Sequence, residues 1–149
     1  KDTTDNKALL WAKGPVEKRQ FNSSTSNNTW RDSSLRTYLN GDWLNGTTVL
    51  QSKALLTDIT TRSQYNASTW ITTQDKVFLL SEADLFGTFN KTKTSDAQDY
   101  TYGNSVIVPN INMRKSSNIC WLRSARGNAS GEAVVQSDGT ALSYGCTAF

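Results

Sequence analysis

Apolar positions in the first part of the chain form short runs separated by long polar stretches. The run at residues 7–13 is ended by Gly14 and Pro15, a pattern that predicts a buried strand followed by a turn. Residues 22–28 contain only Asn, Ser and Thr, and such a stretch predicts a loop. The pattern therefore places one short strand and a polar connection at the start of the domain.

The clearest helical pattern lies at residues 32–41. Asp32 or Ser33 can accept hydrogen bonds from the free N–H groups of a first helical turn, and the Asn-Gly pair at 40–41 predicts a stop. One face carries apolar residues at helical spacing, namely Leu35, Tyr38 and Leu39. The apolar surface is expected to continue after the stop in Trp43 and Leu44.

The next segments are less regular. Residues 49–59 predict a second, weaker helix, and residues 60–73 predict a polar loop. The inner face of that helix would carry Leu55, Leu56 and Ile59. Residues 76–80 form a compact apolar run that predicts a strand.

A capped helix is expected to begin at residues 81–84, with Leu85 and Phe86 on its inner face. The polar segment at 87–105 is long for a loop within one domain, and loops of that length are often functional.

From residue 105 onwards the pattern favours short strands. Four are predicted, near residues 106–108, 119–123, 133–136 and 142–149. The Asp138-Gly139 pair predicts a type I′ hairpin turn over residues 137–140. Helices followed by short, mostly antiparallel strands predict an α+β fold. No repeat or linker divides the chain, so residues 1–149 are expected to form a single domain.

Composition narrows the classes of function. The net charge of +3 comes without a basic run, so the positive residues predict a solvated surface and no nucleic-acid partner. No stretch approaches the ~20 apolar residues of a membrane span. The chain starts at Lys1, which we interpret as a mature form or an excised domain. The absence of histidine removes the commonest general base and metal ligand.

The two cysteines, Cys120 and Cys146, fall in strands that we expect to be neighbours. A disulfide between them would add about 3–4 kcal/mol of stability and would fit an oxidising compartment. Two buried thiols are the alternative. Their spacing matches no metal-binding motif.

Charged residues near the strands have two interpretations. Arg123 is expected to form a buried ion pair, although it could instead grip an anionic ligand. The candidate partners of Arg123 are Asp75, Glu82 and Asp84.

Asp96 and Asp99 are too few for the six to eight oxygen ligands of calcium, so no metal site is predicted.

Several motifs in register resemble one bacterial family, catalogued as domain of unknown function 6273. Its Trp…Ser-x-Leu-Arg-x-Trp-Leu-Asn signature, its Asp-Lys-Ile-Phe-Leu-Leu-Ser strand, its Trp-Trp-Leu-Arg-Ser motif and its closing hairpin all have counterparts here, in the same order. Those counterparts are residues 29–40, 75–81, 121–124, Val135, 137–139 and 144–145.

This resemblance implies a C-type-lectin-like fold, in which two helices pack on short, mostly antiparallel strands with long loops. It also implies a secreted or cell-surface location and a likeness to the variable proteins of diversity-generating retroelements. Two departures concern the same region: Cys120 replaces an aromatic residue, and residues 145–149 replace a Gly-Val-Arg-Pro-Ala ending.

The segment from Arg114 to Tyr144 mixes Arg, Asn, Ser, Gly and Tyr with apolar residues, as binding loops do. Arg126 and Tyr144 are the expected anchors of a ligand. The remaining predicted binding residues, which would shape the surface, are Asn128, Ser130, Glu132 and Leu142. The scaffold beneath them is predicted to be Trp121, Leu122, Arg123 and Ser124.

The sequence therefore predicts a ligand-binding display domain, with a protein or glycan as ligand, no cofactor and no enzymatic activity. A structural or adhesin module of a larger surface assembly is the first alternative. The second is an oxidase related to formylglycine-generating enzymes, which would bind Cu(I) through Cys120 and Cys146.

Overall fold

The computed structural model describes residues 8–12, 14–24, 28–62, 69–86, 110–125 and 131–145. These residues form short helices and two small antiparallel sheets, which confirms the α+β class. The helices are α1 (Ser34–Tyr38), α2 (Thr48–Lys53), α3 (Glu82–Phe86) and α4 (Ile111–Arg114). The strands are β1 (Thr57–Arg62), β2 (Trp70–Asp75), β3 (Cys120–Ala125), β4 (Gly131–Val135) and β5 (Ala141–Gly145).

Helix α1 confirms the predicted helix and its cap. A 3-10 turn at Trp30–Asp32 precedes it, and Ser33 is the capping residue because its side chain accepts a bond from the Arg36 N–H. The helix continues as a π-helical turn over Leu39–Trp43, interrupted at Gly41, where the backbone dihedrals are non-helical. The Asn-Gly pair thus breaks the helix without ending it.

Asn40 explains why the break is stable. Its side-chain oxygen accepts bonds from the N–H groups of Lys76 and Val77, and its amide donates to the Val77 carbonyl at 2.8 Å. One side chain therefore satisfies three backbone groups of the segment that follows β2 and ties that segment to the end of α1.

The region after α1 differs from the prediction. The helix expected over 49–59 is short, because Ala54 takes an extended conformation and ends α2. Leu55 and Leu56 are 56% and 62% exposed instead of facing inward. Ile59 is buried, but as part of strand β1.

The polar loop expected over 60–73 is wrong at both ends, since β1 and β2 pair there as antiparallel strands, while residues 63–68 lie outside the described residues. The β-branched Thr and Ile residues fit a pleated, half-buried surface, and alternate positions face inward. A Thr-rich segment with an apolar residue on one face is as typical of a strand as of a polar loop.

Two predicted strands are absent from the described residues. Residues 8–12 have no regular structure and Leu10 is 78% exposed, so the buried strand at 7–13 is wrong there. Residues 76–80 are irregular, although the Leu80 carbonyl accepts a bond from the Arg123 N–H in β3. The predicted strand at 106–108 and the loop at 87–105 lie outside the described residues.

The buried apolar residues form two clusters. The first contains Leu80, Leu85, Leu122, Ala133 and Val135. The second contains Phe21, Trp30, Leu35 and Ile59. Strand β3 reaches both, because Leu122 belongs to the first cluster while the adjacent Trp121 packs against the second. Successive side chains of a strand point to opposite faces, so β3 lies between the two halves of the core.

The C-terminal sheet has the order β3-β4-β5, which confirms the predicted strands there. The turn between β4 and β5 is displaced by one residue from the expected type I′ turn, since the Gly139 N–H donates to the Gln136 carbonyl. Gly139 has φ 86°, and a Cβ at this position would lie 2.7 Å from the Ile111 carbonyl oxygen. Only glycine fits both constraints.

Candidate functional site

Strand β3 holds the four predicted scaffold residues, and three of them are fully packed. Leu122, Arg123 and Ser124 are buried, while Trp121 is half-buried. The Trp121 ring lies 5.8 Å from that of Phe21, and its indole N–H donates to the Arg19 carbonyl at 2.9 Å. Residues 122–124 of this strand therefore lie in the interior of the fold.

Arg123 forms the buried ion pair that the sequence predicted. Its side chain is 0% exposed, and Nη1 lies 2.7 Å from the Asp84 carboxylate. The same nitrogen donates to the Leu79 carbonyl at 2.6 Å. Asp84 is therefore a partner among the three candidates, and the interpretation of Arg123 as a ligand grip is wrong for this buried side chain.

Besides its ion pair with Arg123, Asp84 caps the start of α3. It accepts a bond from the Ser81 N–H, and its own N–H donates to Ser81 Oγ, which confirms the capped start of α3. The Glu82 N–H donates to Ser124 Oγ at 2.9 Å. The first turn of α3 is consequently bonded to β3 through both a side-chain pair and a backbone donor.

Asp75, another candidate partner of Arg123, is engaged elsewhere. It is fully buried and accepts bonds from Trp30 Nε1, Thr73 Oγ1 and Arg36 Nε at 2.7 to 2.9 Å. These partners belong to the 3-10 turn, β2 and α1. Asp75 therefore joins the second apolar cluster to α1 and takes no part in the C-terminal sheet.

The predicted binding residues are only partly placed. Arg126, Asn128 and Ser130 lie outside the described residues, in the connection from Ala125 to Gly131. On the backbone, Glu132 pairs with Tyr144 and Val134 pairs with Leu142, so the register brings Glu132 and Tyr144 opposite each other.

Glu132 is not a surface residue. Its exposure is 0%, because β4 is the central strand of the sheet and both of its faces are covered. The prediction that Glu132 shapes a ligand surface is therefore wrong in this structure. Coverage of both faces of a strand is a tertiary property that a short segment of sequence does not contain.

The premise of the predicted disulfide is also wrong. Cys120 is a free thiol, and β3 and β5 are not neighbours because β4 lies between them. Cys120 pairs with Val135, which is opposite Ala141, whereas Cys146 follows Gly145 at the other end of β5. Strand spacing and rise place Gly145 roughly 16 Å from Cys120.

A disulfide needs Cα atoms within about 7 Å, and one further residue spans only ~3.8 Å. The described sheet therefore gives no support to a bridge, or to a copper-binding pair, between Cys120 and Cys146. Cys146 itself lies outside the described residues.

Asn28 is a residue that the sequence did not single out. It is buried, and its side-chain amide donates to the Gly131 carbonyl at 2.7 Å. Gly131 begins β4, directly after the connection that carries Arg126, Asn128 and Ser130. No local signal marks this contact, which joins residues far apart in the chain.

A second missed feature is a surface cluster of Glu17, Arg19 and Tyr38. The Arg19 guanidinium lies over the Tyr38 ring, 3.5 Å from its centroid, and Arg19 Nε is 3.1 Å from Glu17 Oε1. The Tyr38 hydroxyl donates to the other Glu17 oxygen at 2.6 Å. This bond lowers the pKa of Glu17 and raises the pKa of Tyr38.

The described segments hold no group of three Cys, Asp or Glu residues close enough together to bind a metal ion. Asp96 and Asp99 lie outside them. Within the same segments, no helix has the length and apolar character needed to cross a membrane.

Fold and site together define a small α+β domain in which one buried strand, β3, is bonded to α3 and packs against both parts of the core. The chain belongs to the family described as Domain of unknown function (DUF6273), which matches residues 5–148. No curated protein and no solved structure matches the chain.

Proposed function

We propose that this chain is a ligand-binding display domain of a secreted or cell-surface protein. In this proposal β3 is the fixed scaffold, and the connection after it carries the ligand contacts together with β5. The observation that carries the proposal is the complete burial of Leu122, Arg123 and Ser124, with bonds to α3 and to the segment before it.

Such a scaffold supports a tolerant surface for a physical reason. The connection begins at Ala125, at the end of the buried strand, and ends at Gly131, whose carbonyl is held by Asn28. Substitutions within the connection leave these bonds in place, because none of the bonding side chains belongs to it. The fold would then keep its stability while the binding surface changes.

The proposed contact residues follow the sequence prediction with one correction. Glu132 is left out because it is buried. The revised set is Arg126, Asn128, Ser130, Leu142 and Tyr144. The ligand is a protein or a glycan, and the function requires neither a cofactor nor catalysis. The likeness to retroelement variable proteins and the C-type-lectin-like fold belong to this proposal.

The first experiment tests tolerance. A library randomised at the five contact positions is displayed on yeast, beside a library randomised at four β3 positions, Trp121, Leu122, Arg123 and Ser124. We expect most members of the first library to remain folded by protease resistance, and most members of the second to be lost. Equal loss in both libraries would reject the scaffold-and-surface division.

The second experiment tests binding by the natural sequence. The wild-type chain and a variant with alanine at the five positions are applied to an array of purified glycans and extracellular proteins. Specific signals that the alanine variant loses, at unchanged melting temperature, would support the proposal. Signals that both chains share would place binding elsewhere on the molecule.

Diversification has its own test in the DNA. We expect a near-copy of the segment that encodes the C-terminal strands, differing mainly at adenines, next to a reverse transcriptase gene. If the surrounding DNA holds no such copy, diversification is rejected and the binding proposal stands on the array alone.

A structural or adhesin module is the second candidate, and one observation favours it. Helix α2 buries none of its residues, and the apolar side chains of Val49, Leu55 and Leu56 are exposed in and after it. Exposed apolar residues close together in the sequence are a feature of surfaces that other chains cover. This candidate predicts a stable complex with other chains and no diversified positions.

A further inference from the structure

A shallow groove of about 400 Å³ runs beside helix α1, on the side where the N-terminal segment passes. It is lined by Arg19, Ser34, Thr37, Tyr38, Gly41 and Asp42. None of the proposed contact residues of the C-terminal strands lines it, so the groove is independent of the proposed function.

Three contacts within the protein restrict Arg19 before a ligand binds. Its carbonyl accepts the Trp121 indole N–H, its guanidinium stacks on Tyr38, and its Nε is bonded to Glu17. Only one of the five N–H donors of the guanidinium is used by Glu17. A surface arginine usually loses side-chain conformational entropy when it binds a ligand. Because these contacts already restrict the Arg19 side chain, less entropy is lost on binding.

Asp42 supplies hydrogen-bond acceptors, whereas Arg19 supplies donors. Its carboxylate is exposed and forms no hydrogen bond or ion pair with the residues that the structure describes. The hydroxyls of Ser34 and Thr37 lie on the same stretch of helix; each donates to a backbone carbonyl, of Phe21 and Ser33 respectively, and its oxygen can still accept a bond from a ligand. A Cβ built at Gly41 would have no atom within 4 Å, so there is free space in the groove next to this residue.

We propose that this groove binds a neutral saccharide residue. Sugar hydroxyls both donate and accept hydrogen bonds, so one ligand satisfies the Arg19 donors and the Asp42 acceptors together. A simple anion would bond to Arg19 but would be repelled by Asp42 and Glu17. An apolar ligand would find a single aromatic ring, already covered on one face by the Arg19 guanidinium.

Saturation-transfer NMR on the full chain tests this proposal, with the methyl glycosides of glucose, galactose, mannose and N-acetylglucosamine as probes. We expect transfer to at least one glycoside. Asp42→Asn and Arg19→Gln should each weaken its affinity about tenfold or more, the loss typical of a hydrogen bond to a charged group. Asp58→Asn, which neutralises an exposed carboxylate on β1, is the matched control and should leave the affinity unchanged.

Asp42→Asn keeps the proposal falsifiable, because Asp42 has no side-chain bond among the described residues whose loss would unfold the protein. The proposal is overturned if no glycoside shows transfer, or if the affinity is the same in Asp42→Asn as in the wild type. Transfer to glycine in place of every glycoside would also overturn it, since a zwitterion satisfies Arg19 and Asp42 by charge alone. The variant with five alanines in the C-terminal region should retain the glycoside signal.

Discussion

Two arginine–carboxylate pairs in this domain have similar chemistry and opposite environments. Arg123 and Asp84 are separated by 2.7 Å with side chains 0% and 1% exposed, whereas Arg19 and Glu17 are separated by 3.1 Å with side chains 43% and 40% exposed. In the buried pair, water cannot replace a lost partner, so each charge depends on the other. In the exposed pair, water competes with every bond, and the guanidinium remains accessible to a ligand.

An arginine beside a carboxylate does not by itself indicate a binding site, because burial decides whether a ligand can reach it. Burial makes Arg123 part of the scaffold that joins β3 to α3. Exposure, combined with stacking on Tyr38, makes Arg19 an ordered donor at the surface. Trp121 links the two environments, because it stands beside Leu122 in β3 and its indole holds the Arg19 carbonyl.

The largest expected loss of stability follows from breaking the buried pair of Arg123 and Asp84. Arg123→Met should lower the free energy of unfolding by about 3–5 kcal/mol, because Asp84 loses its bond to Arg123 at a site from which water is excluded. Denaturant unfolding followed by circular dichroism measures this change. Adding Asp84→Asn should restore part of the loss, since it removes the buried charge and keeps an acceptor for the Ser81 N–H. A single variant as stable as the wild type would contradict the structural role of the pair.

Removing the bond from Trp121 to the Arg19 carbonyl should have an intermediate effect on the free energy of unfolding. Trp121→Phe keeps an aromatic ring against Phe21 but loses the bond to the Arg19 carbonyl, and should cost about 1 kcal/mol. The same unfolding experiment measures it. Trp11→Phe, at an exposed tryptophan, is the control and should change little. Equal effects of the two substitutions would show that the indole bond does not stabilise the fold.

The exposed pair should contribute least to stability. Arg19→Met, the same substitution as at Arg123, is expected to leave the melting temperature essentially unchanged, because both partners remain hydrated. Thermal denaturation at low and high salt checks this. A melting temperature that falls as far as that of Arg123→Met would mean that burial is not what separates the two pairs.

The exposed pair should also depend on pH through Glu17. The Tyr38 hydroxyl bond holds the pKa of Glu17 below its ordinary value, so Glu17 stabilises the fold above that ordinary value and loses this effect as the pH falls through its lowered pKa. Carboxyl NMR titration of the wild type and Tyr38→Phe measures it. We expect the Glu17 pKa to rise in Tyr38→Phe, and an unchanged value would exclude the hydroxyl bond as the cause.

Reduction of the protein is expected to have no effect on its stability. Because the sheet separates Cys120 from Gly145 by two strand spacings, a reducing agent should leave the melting temperature unchanged. Mass spectrometry after alkylation without reduction should find two modified cysteines. Zero modified cysteines, with two after reduction, would restore the disulfide and contradict the register described above.

Local signals in the sequence were sufficient for several parts of the fold. The Ser33 cap, the reciprocal bonds of Ser81 and Asp84, and the left-handed Gly139 all depend on partners within three or four residues. Strands β3 and β4 carry strongly apolar runs bounded by turn residues. Such features form from the chain's own neighbours, so a short window of sequence contains the information.

The errors have a common physical cause. Leu55 and Leu56 belong to an apolar run that predicts a helix, but they lie between α2 and β1, and the hairpin pairs the following Ile59 with Thr73. Glu132 lies in a segment whose composition is typical of binding loops, whereas the central position of β4 buries it. In each instance the decisive neighbour is distant in the chain.

The sequence alone determined the α+β class, a helix cap at Asp32 or Ser33, a strand over residues 121–123 and a buried ion pair of Arg123 with one of three carboxylates. Only the tertiary structure selected Asp84, assigned Asp75 to Trp30 and Arg36, and brought Arg19 over Tyr38 beside Asp42. The reason is physical: residue type fixes which bonds a side chain can make, while packing of distant segments decides which partner comes within reach and whether water is excluded from the bond.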